Sequence, residues 1–289
     1  IYLLTYIISF HSSRWYVRWY WFAIFMATSV AAILMFFIGS WFNLLSQLVM
    51  YSIILLSACM ICHGELALLK PGAKRLTLFY LMISLGGVLG SAFVVFFAQS
   101  LFSNYYEFPL AIIAVFFLVS GCVFWQRSRL VATDEKRPLL LAQLAIVYPV
   151  LLGGMFFYLN TLNNQNDVLA VRNFYGILKA KDVEINGRLE RRLIDGTTSH
   201  GTQLLTPDGT STPMSYYRHG TGVALALEHL PVDGNMQVGI IGLGAGTLAA
   251  YGRPGDTYRF YELNPQVKAF ANNQFTYLAD SDAEVDIVL

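Results

Sequence analysis

The chain has 289 residues, of which 56% are hydrophobic and 13% are charged, and its mean hydropathy is +0.52. Soluble globular domains carry about 25% charged residues, so this composition excludes an ordinary soluble protein. The charge is uneven, with +5 over residues 1–160 and −4 over residues 161–289, and neither half has the clustered basic face that a nucleic-acid partner requires.

Residues 1–160 contain six apolar segments. Five are long enough to cross a bilayer, and these predicted spans are 19–40, 42–62, 76–100, 108–126 and 138–159. Residues 1–10 form a sixth, partial span. Because the chain starts without Met inside this segment and stops in a strand-like segment at 285–289, we expect it to be a fragment of a longer protein. Gly86, Gly87 and Gly90 predict close helix packing in the third long span.

Basic and aromatic residues set the expected orientation of these helices. The loops at 11–18, 66–75 and 127–137 contain all nine lysines and arginines of residues 1–160. By the positive-inside rule these loops are cytoplasmic, and the sixth helix then delivers the rest of the chain to the extracytoplasmic side. Aromatic residues at 15–21 fit a belt at the membrane–water interface. We therefore predict a multi-pass integral membrane protein embedded in the lipid bilayer.

Two features near the end of the second long span bear on chemistry. Cys59, Cys62 and His63 match the C-x-x-C-H pattern of covalent haem attachment, and the alternative is two buried thiols beside an interfacial histidine. His63 and Glu65 are ionisable groups at membrane depth, which makes them candidate functional residues, and a structural ion pair is the alternative. All three cysteines, including Cys122, lie in apolar runs, so a disulfide scaffold is excluded, and no metal is expected.

From residue 160 the composition becomes polar, which predicts an extramembrane half. Residues 160–167 form a polar connector, followed by β-like runs at 168–180, 189–195 and 203–205, with turns at 186–187, 195–196 and 208–209. These runs predict a small antiparallel sheet. Residues 221–230 then predict a helix that ends at Pro231.

A glycine-rich loop and an acid form the most informative pattern of this half. An apolar strand runs directly into a loop with Gly242, Gly244 and Gly246, and the next strand ends at Glu262. Glycines let a ligand approach the backbone, and an acid about twenty residues further on accepts hydrogen bonds from ribose hydroxyls. Because Thr247 stands where the dinucleotide pattern has Gly or Ala, the spacing favours a cofactor of the S-adenosylmethionine class.

The same region predicts a parallel sheet. Strands at 238–241, 258–261 and 285–289 alternate with helices at 248–251 and 266–275. The first strand is apolar without alternation, as in a sheet covered on both faces. This order predicts the first half of a doubly wound sheet. The expected fold is therefore a multi-pass α-helical membrane bundle (1–160), a small antiparallel β domain (161–215) and the first half of a Rossmann-like α/β domain (216–289).

The glycine loop and its flanks resemble spermidine synthases, the polyamine aminopropyltransferases. The resemblance rests on residues 240–270 (IIGLGAGTLAAYGRPGDTYRFYELNPQVKAF), 193–196 (LIDG) and 228–231 (EHLP). The membrane half, with 62–66 (CHGEL) and 79–87 (FYLMISLGG), looks like the multi-pass module fused to such domains in bacterial membrane proteins. The resemblance implies the bacterial inner membrane and transfer of an aminopropyl group from decarboxylated S-adenosylmethionine to a small polyamine, with S-adenosylmethionine as the alternative cofactor.

The resemblance also assigns cofactor-binding positions. Gly242, Gly244, Gly246 and Glu262 match those positions directly, whereas Ala245 stands where soluble members have an acid. Those members also have a glutamine two residues beyond the Asp-Gly turn. Here that position holds another residue, and Gln203 further along is a candidate for the role.

The catalytic element of the family is only partly matched. Its Tyr-His-Glu sequence is replaced by residues 216–220 (YYRHG), which leaves Tyr217 and His219 as candidate catalytic residues. His219 has the residue type of a base near neutral pH, and a surface histidine is the alternative. The family's catalytic Asp is expected beyond Leu289. A non-catalytic scaffold or accessory subunit of a membrane complex is the alternative to an enzyme, and a third hypothesis is polyamine transport through His63 and Glu65.

Overall fold

The computed structural model describes residues 1–129, 136–207, 209–230 and 234–289. They form two compact units, which we call the helical unit (Ile1–Ala98 and Tyr105–Asn164) and the sheet unit (Gln99–Asn104 and Gln165–Leu289). Asp208 of one predicted turn, Pro231 and residues 130–135 of the third basic loop lie outside the described residues.

The first 164 residues are mostly helical. The helices are α1 (Tyr2–His11), α2 (Arg18–Ile38), α3 (Leu44–Leu68), α4 (Leu76–Ala92), α5 (Gln99–Leu101), α6 (Glu107–Arg129) and α7 (Lys136–Asn164). Among the described residues, five segments are long and apolar enough to cross a membrane: Arg18–Trp41, Leu44–Leu68, Ala73–Leu101, Glu107–Gln126 and Gln143–Asn164. Five long apolar helices thus lie where the sequence predicts the five spans, with bounds that differ by up to six residues, and this is consistent with a membrane protein.

The core of the helical unit is aromatic and aliphatic. Phe22 and Phe25 of α2 are buried against Phe116 of α6, and the rings of Phe25 and Phe116 lie 4.7 Å apart. No residue of α4 is buried in the described structure. The predicted polar connector at 160–167 is partly wrong, because α7 continues to Asn164, whose side-chain amide donates to Asn160 one turn earlier at 3.1 Å.

The sheet unit begins with an antiparallel sheet. Its strands are β1 (Asp167–Asn173), β2 (Gly176–Ile185), β3 (Arg188–Asp195) and β4 (Thr198–Leu204), which pair in chain order. The predicted run at 168–180 is two strands, because the chain turns at Phe174 and Tyr175 before Gly176, whose φ is +142°. The turn predicted at Asn186 and Gly187 is confirmed, with both residues at positive φ.

A second, parallel sheet follows. Its strands are β5 (Gln237–Ile241), β6 (Thr257–Tyr261) and β7 (Glu284–Val288), in that order, and α8 (Gly222–His229) precedes it. The segment after β5 is a 3-10 helix (Thr247–Tyr251), and α9 (Pro265–Gln274) follows β6. The side chain of Asn264 caps α9 by accepting from the Gln266 amide, and Pro265 occupies the first helical position, where a missing N–H costs nothing.

Burial alternates along the strands of this parallel sheet. Tyr258 and Phe260 of β6 are buried with α8 and α9 residues on one face. Ile241 at the end of β5 is 95% exposed, and Arg259 and Tyr261 are exposed beside it. The prediction that both faces are covered therefore does not hold among the residues that the structure describes.

Candidate functional site

A cleft of about 360 Å³ lies between the two sheets of the sheet unit. We call it the glycine-loop cleft. Its lining combines residues of β3 and β4 with the loop after β5 and the end of β6, and it includes Asp195, His200, Tyr216, Tyr217, Gly242, Gly244, Glu262 and Asn264. The structure thus brings two of the three predicted loop glycines together with Glu262 and Tyr217.

The glycine loop has a backbone that other residues rarely adopt. Gly242, Gly244 and Gly246 have φ values of +88°, +57° and +80°. A Cβ on Gly244 would lie 2.8 Å from the backbone oxygen of His200, so this glycine lets the loop pack directly on β4. A Cβ on Gly242 would meet no atom within 4 Å. The backbone at Gly242 is therefore open to the cleft, whereas Gly244 is required for packing.

Glu262 stands beside this loop, at the carboxyl end of β6. Its Oε2 accepts a hydrogen bond from the Leu243 amide at 3.0 Å, and its Oε1 accepts one from the Asn264 amide at 2.8 Å. A carboxylate offers about four acceptor sites, so these two bonds orient the group and leave sites for further donors. The predicted relation between the loop and the acid is present in the structure.

The charged residues of the cleft lining are mostly acidic. Asp195, from the end of β3, is half-buried and lines the same space as Glu262, and among the described lining residues His200 of β4 is the other ionisable group apart from tyrosines. The lining residues that the structure describes include no Lys or Arg. Two carboxylates without a fixed cation attract a positively charged ligand and disfavour a pyrophosphate.

Two tyrosines form one wall of the cleft. The Tyr216 hydroxyl donates to the backbone oxygen of Ser199 at 3.1 Å, and the Tyr251 hydroxyl donates to that of Tyr217. Burial raises the pKa of Tyr216 and that of Tyr251, so both hydroxyls remain protonated donors at neutral pH. These bonds fix the segment that carries Tyr217, which lines the cleft as a candidate catalytic residue.

His219, the other candidate catalytic residue, is not among the residues that line the cleft. Its Nδ1 lies 2.6 Å from Glu228 Oε1, and its ring meets that of Tyr251 edge-on at 5.6 Å. The side chain is exposed, so the geometry favours the surface-histidine alternative, in which His219 holds the segment of Tyr217 against α8.

Gln203 also lies outside the cleft lining that the structure describes. It is 1% exposed, its amide donates to Thr210 O and Thr276 Oγ1 at 2.8 Å each, and its Oε1 accepts from the Thr276 amide at 3.0 Å. All of these partners are protein groups. Gln203 therefore joins β4 to the segment after α9 and has no polar atom directed to a cofactor.

Ala245 differs from the acid that the resemblance leads us to expect. Its side chain is 1% exposed and belongs to a cluster with Leu178, Leu193 and Phe270. A Cβ on Gly201 would overlap the Ala245 methyl group. Position 245 is a packing position here, and an acid would enter an apolar cluster.

In the helical unit, three side chains form what we call the Glu65 clasp. Arg18 donates from Nε to Glu65 Oε1 at 2.5 Å and from Nη2 to Oε2 at 2.7 Å, and the Tyr16 hydroxyl donates to Oε1 at 2.5 Å. The side chain of Glu65 is 2% exposed and that of Arg18 is 20% exposed. A Cβ on Gly64 would overlap the Tyr16 ring, so this glycine makes room for the clasp. The geometry favours the structural ion pair over a transport role for Glu65.

His63 is enclosed as well. Its Nδ1 lies 2.9 Å from the Thr5 hydroxyl, and its ring meets those of Tyr2 and Tyr6 edge-on, at 4.7 and 5.4 Å. Cys59 and Cys62 are free thiols inside α3. No cluster of His, Cys, Asp or Glu suited to a metal occurs within the described residues. The arrangement favours buried thiols beside a packed histidine over haem attachment.

Comparison of the chain with protein-family models, curated proteins and solved structures finds no match. A function for the sheet unit is therefore inferred from the residues and the geometry of the cleft.

Proposed function

We propose that the sheet unit binds the nucleoside part of a sulfonium cofactor, S-adenosylmethionine or its decarboxylated form, in the glycine-loop cleft. The observation that carries the proposal is the Glu262 carboxylate beside the open backbone of Gly242, at the carboxyl ends of neighbouring parallel strands. Ligands of parallel sheets bind outside these ends, and an acid there accepts hydrogen bonds from ribose. In this proposal β5–β7 form the first half of a Rossmann-like domain.

The cleft fits such a ligand in size and charge. Its volume of about 360 Å³ falls in the range of about 300–1,000 Å³ that is usual for small-molecule sites. Glu262 would hold the ribose, the loop backbone would contact the nucleoside, and Asp195 adds negative charge that favours the sulfonium cation.

We propose further that the reaction is a spermidine synthase-like transfer of an aminopropyl group to a polyamine. In this reaction the amine nitrogen forms a bond to the carbon attached to sulfur, the carbon–sulfur bond breaks, methylthioadenosine leaves, and the amine loses a proton. The acidic lining supports this proposal because both substrates are cations. Of the two candidate catalytic residues, Tyr217 is the one that lines the cleft.

A second function is supported by Ala245. Because this position is packed in an apolar cluster, the cleft lacks the loop acid that the resemblance associates with activity. The corresponding proposal is a non-catalytic, synthase-like subunit of a membrane complex. Binding of the nucleoside without turnover of any amine would favour this function over the transferase.

Calorimetry on the full chain in detergent, titrated with methylthioadenosine, tests the binding proposal. Hydrogen bonds to a charged group contribute about 1.5–3 kcal/mol, so Glu262→Gln is expected to weaken binding by roughly 10- to 100-fold. Glu284→Gln is the matched control, since Glu284 is exposed at the start of β7 outside the cleft lining. Absence of binding to the unsubstituted chain refutes the proposal.

The side of the membrane is a separate question. The basic loops predict an extracytoplasmic sheet unit, whereas the proposed cofactor is a cytoplasmic metabolite. A reporter enzyme fused after Leu289, active only on one side of the membrane, decides between them. An extracytoplasmic signal favours the accessory subunit, and a cytoplasmic signal favours the transferase.

A further inference from the structure

A small pocket of about 160 Å³, lined by both polar and apolar residues, lies in the helical unit, separate from the glycine-loop cleft. It is formed by the end of α1, the segment between α1 and α2, and the end of α3. Its lining includes Ser9, His11, Ser12, Tyr16, Gly64 and Lys70. The structure therefore brings together the two basic loops predicted at 11–18 and 66–75.

The charge around this pocket is positive and has little compensation. Lys70 lines the pocket and is exposed, with its Nζ 6.0 Å from the centre of the Phe10 ring. Within the described residues it forms no salt bridge. The neighbouring carboxylate, Glu65, is already bound by Arg18 and Tyr16 and is closed to solvent. The clasp therefore leaves the charge of Lys70 available to a ligand.

Aromatic residues indicate the depth of the pocket in the membrane. Trp15 precedes Tyr16 of the pocket wall and is 65% exposed, and Trp19 and Tyr20 are exposed in the next turn. Amphipathic rings of this kind lie at the level of the lipid headgroups. We therefore expect the pocket and its lysine to lie at the level of the lipid phosphates.

We propose that the pocket binds the phosphate group of an anionic phospholipid. Lys70 supplies the positive charge, and the Ser12 hydroxyl, whose oxygen accepts from the Arg14 amide at 3.3 Å, keeps its own hydrogen for the ligand. The Tyr16 ring, packed on Gly64, closes the inner wall. Basic pockets between membrane helices recognise anionic headgroups by the same combination of charge and hydrogen bonding. The interaction is independent of the cofactor proposed for the sheet unit.

Native mass spectrometry of the full chain in detergent, titrated with phosphatidylglycerol, measures this binding. A basic residue near a membrane surface contributes enough attraction for Lys70→Gln to weaken binding about five- to tenfold. Lys70→Arg keeps the charge and is expected to bind nearly as the unsubstituted chain does. Lys74→Gln removes the same charge from an exposed residue outside the pocket lining and is expected to change affinity less than twofold.

Three results overturn the proposal. Equal losses for Lys70→Gln and Lys74→Gln indicate general attraction to the basic loops. Equal affinity for phosphatidylcholine with the same acyl chains shows that the headgroup charge is not recognised. Inorganic phosphate that binds alone with the same dependence on Lys70, and displaces the lipid, identifies a free anion as the ligand. Unchanged thermal unfolding of the Lys70 variants excludes misfolding as the cause of a loss.

Discussion

Replacing Arg18 with Met is expected to destabilise the helical unit more than replacing its partner Glu65 with Met. Arg18→Met leaves a carboxylate that is 2% exposed without its cation. Loss of one partner of a buried ion pair costs about 3–5 kcal/mol. Glu65→Met leaves a guanidinium that is already 20% exposed on a long side chain able to reach water, so roughly 1–3 kcal/mol is expected.

The double substitution distinguishes this reasoning from a simple count of hydrogen bonds. Apolar side chains that replace both members of a buried ion pair often leave stability unchanged or raise it. The Tyr16 hydroxyl then loses its acceptor, at a cost of about 1 kcal/mol. Arg18→Met with Glu65→Met is therefore expected to be more stable than Arg18→Met alone.

Tryptophan fluorescence during thermal unfolding in detergent measures these effects. All five tryptophans of the chain lie before residue 126, in the helical unit, so the signal reports on that unit. A loss of 3 kcal/mol corresponds to a midpoint lower by roughly 6–12 °C for a unit of this size. Arg75→Met, at an exposed arginine, is the control. Unfolding of Arg18→Met at the midpoint of Arg75→Met, or simple addition of the two single effects in the double variant, would contradict a coupled, buried ion pair.

Three further substitutions test packing, two in the helical unit and one in the sheet unit. Gly64→Ala introduces a methyl group into the Tyr16 ring and is expected to cost about 1–3 kcal/mol in the same fluorescence assay. Gly87→Ala, where a Cβ meets no atom within 4 Å, is expected to be neutral or to gain up to about 1 kcal/mol, and similar results for both variants would contradict the packing argument. Gln203→Leu removes the three hydrogen bonds of the buried Gln203 side chain, one of them from the Thr276 amide, and limited proteolysis is expected to show the sheet unit destabilised by about 1–3 kcal/mol. A large loss of methylthioadenosine affinity with normal protease resistance would instead make Gln203 a cofactor contact.

The long apolar helices could be predicted from the sequence because each depends on a local property, an unbroken apolar run. The predicted end of the last apolar helix was wrong because tertiary contacts extend α7 beyond the apolar run. Asn160 accepts from the Tyr106 hydroxyl at 3.2 Å as well as from Asn164, and these bonds keep polar residues in α7. The turn at Phe174 and Tyr175 carries no Asn-Gly or Asp-Gly signal, so the sequence does not distinguish it from strand.

Only half of the candidate site could be predicted from the sequence, and the half that could not comes from β4. Glu262 and the glycine loop are close in sequence and end neighbouring parallel strands, so their proximity follows from the pattern. The residues that β4 contributes depend on register, and Leu193 pairs with Gly201 whereas Ile194 pairs with Ser199. His200 is the extra residue of this bulge. A shift of the strand register by one residue moves every side chain to the opposite face of the sheet. The sequence alone therefore does not show that His200 lines the cleft and that Gln203 is buried elsewhere.

The clasp also has a consequence for the order in which the chain enters the membrane. Arg18 and Glu65 are 47 residues apart, so the cation of α2 leaves the ribosome well before the anion of α3. A charged side chain in the middle of a bilayer costs about 2.5–3.5 kcal/mol by insertion measurements. Arg18 is the first residue of α2, so its long side chain can reach the interface before Glu65 is synthesised. Glu65 then pairs with a cation that is already in place. The clasp can therefore close as soon as α3 has been synthesised, before β1 exists.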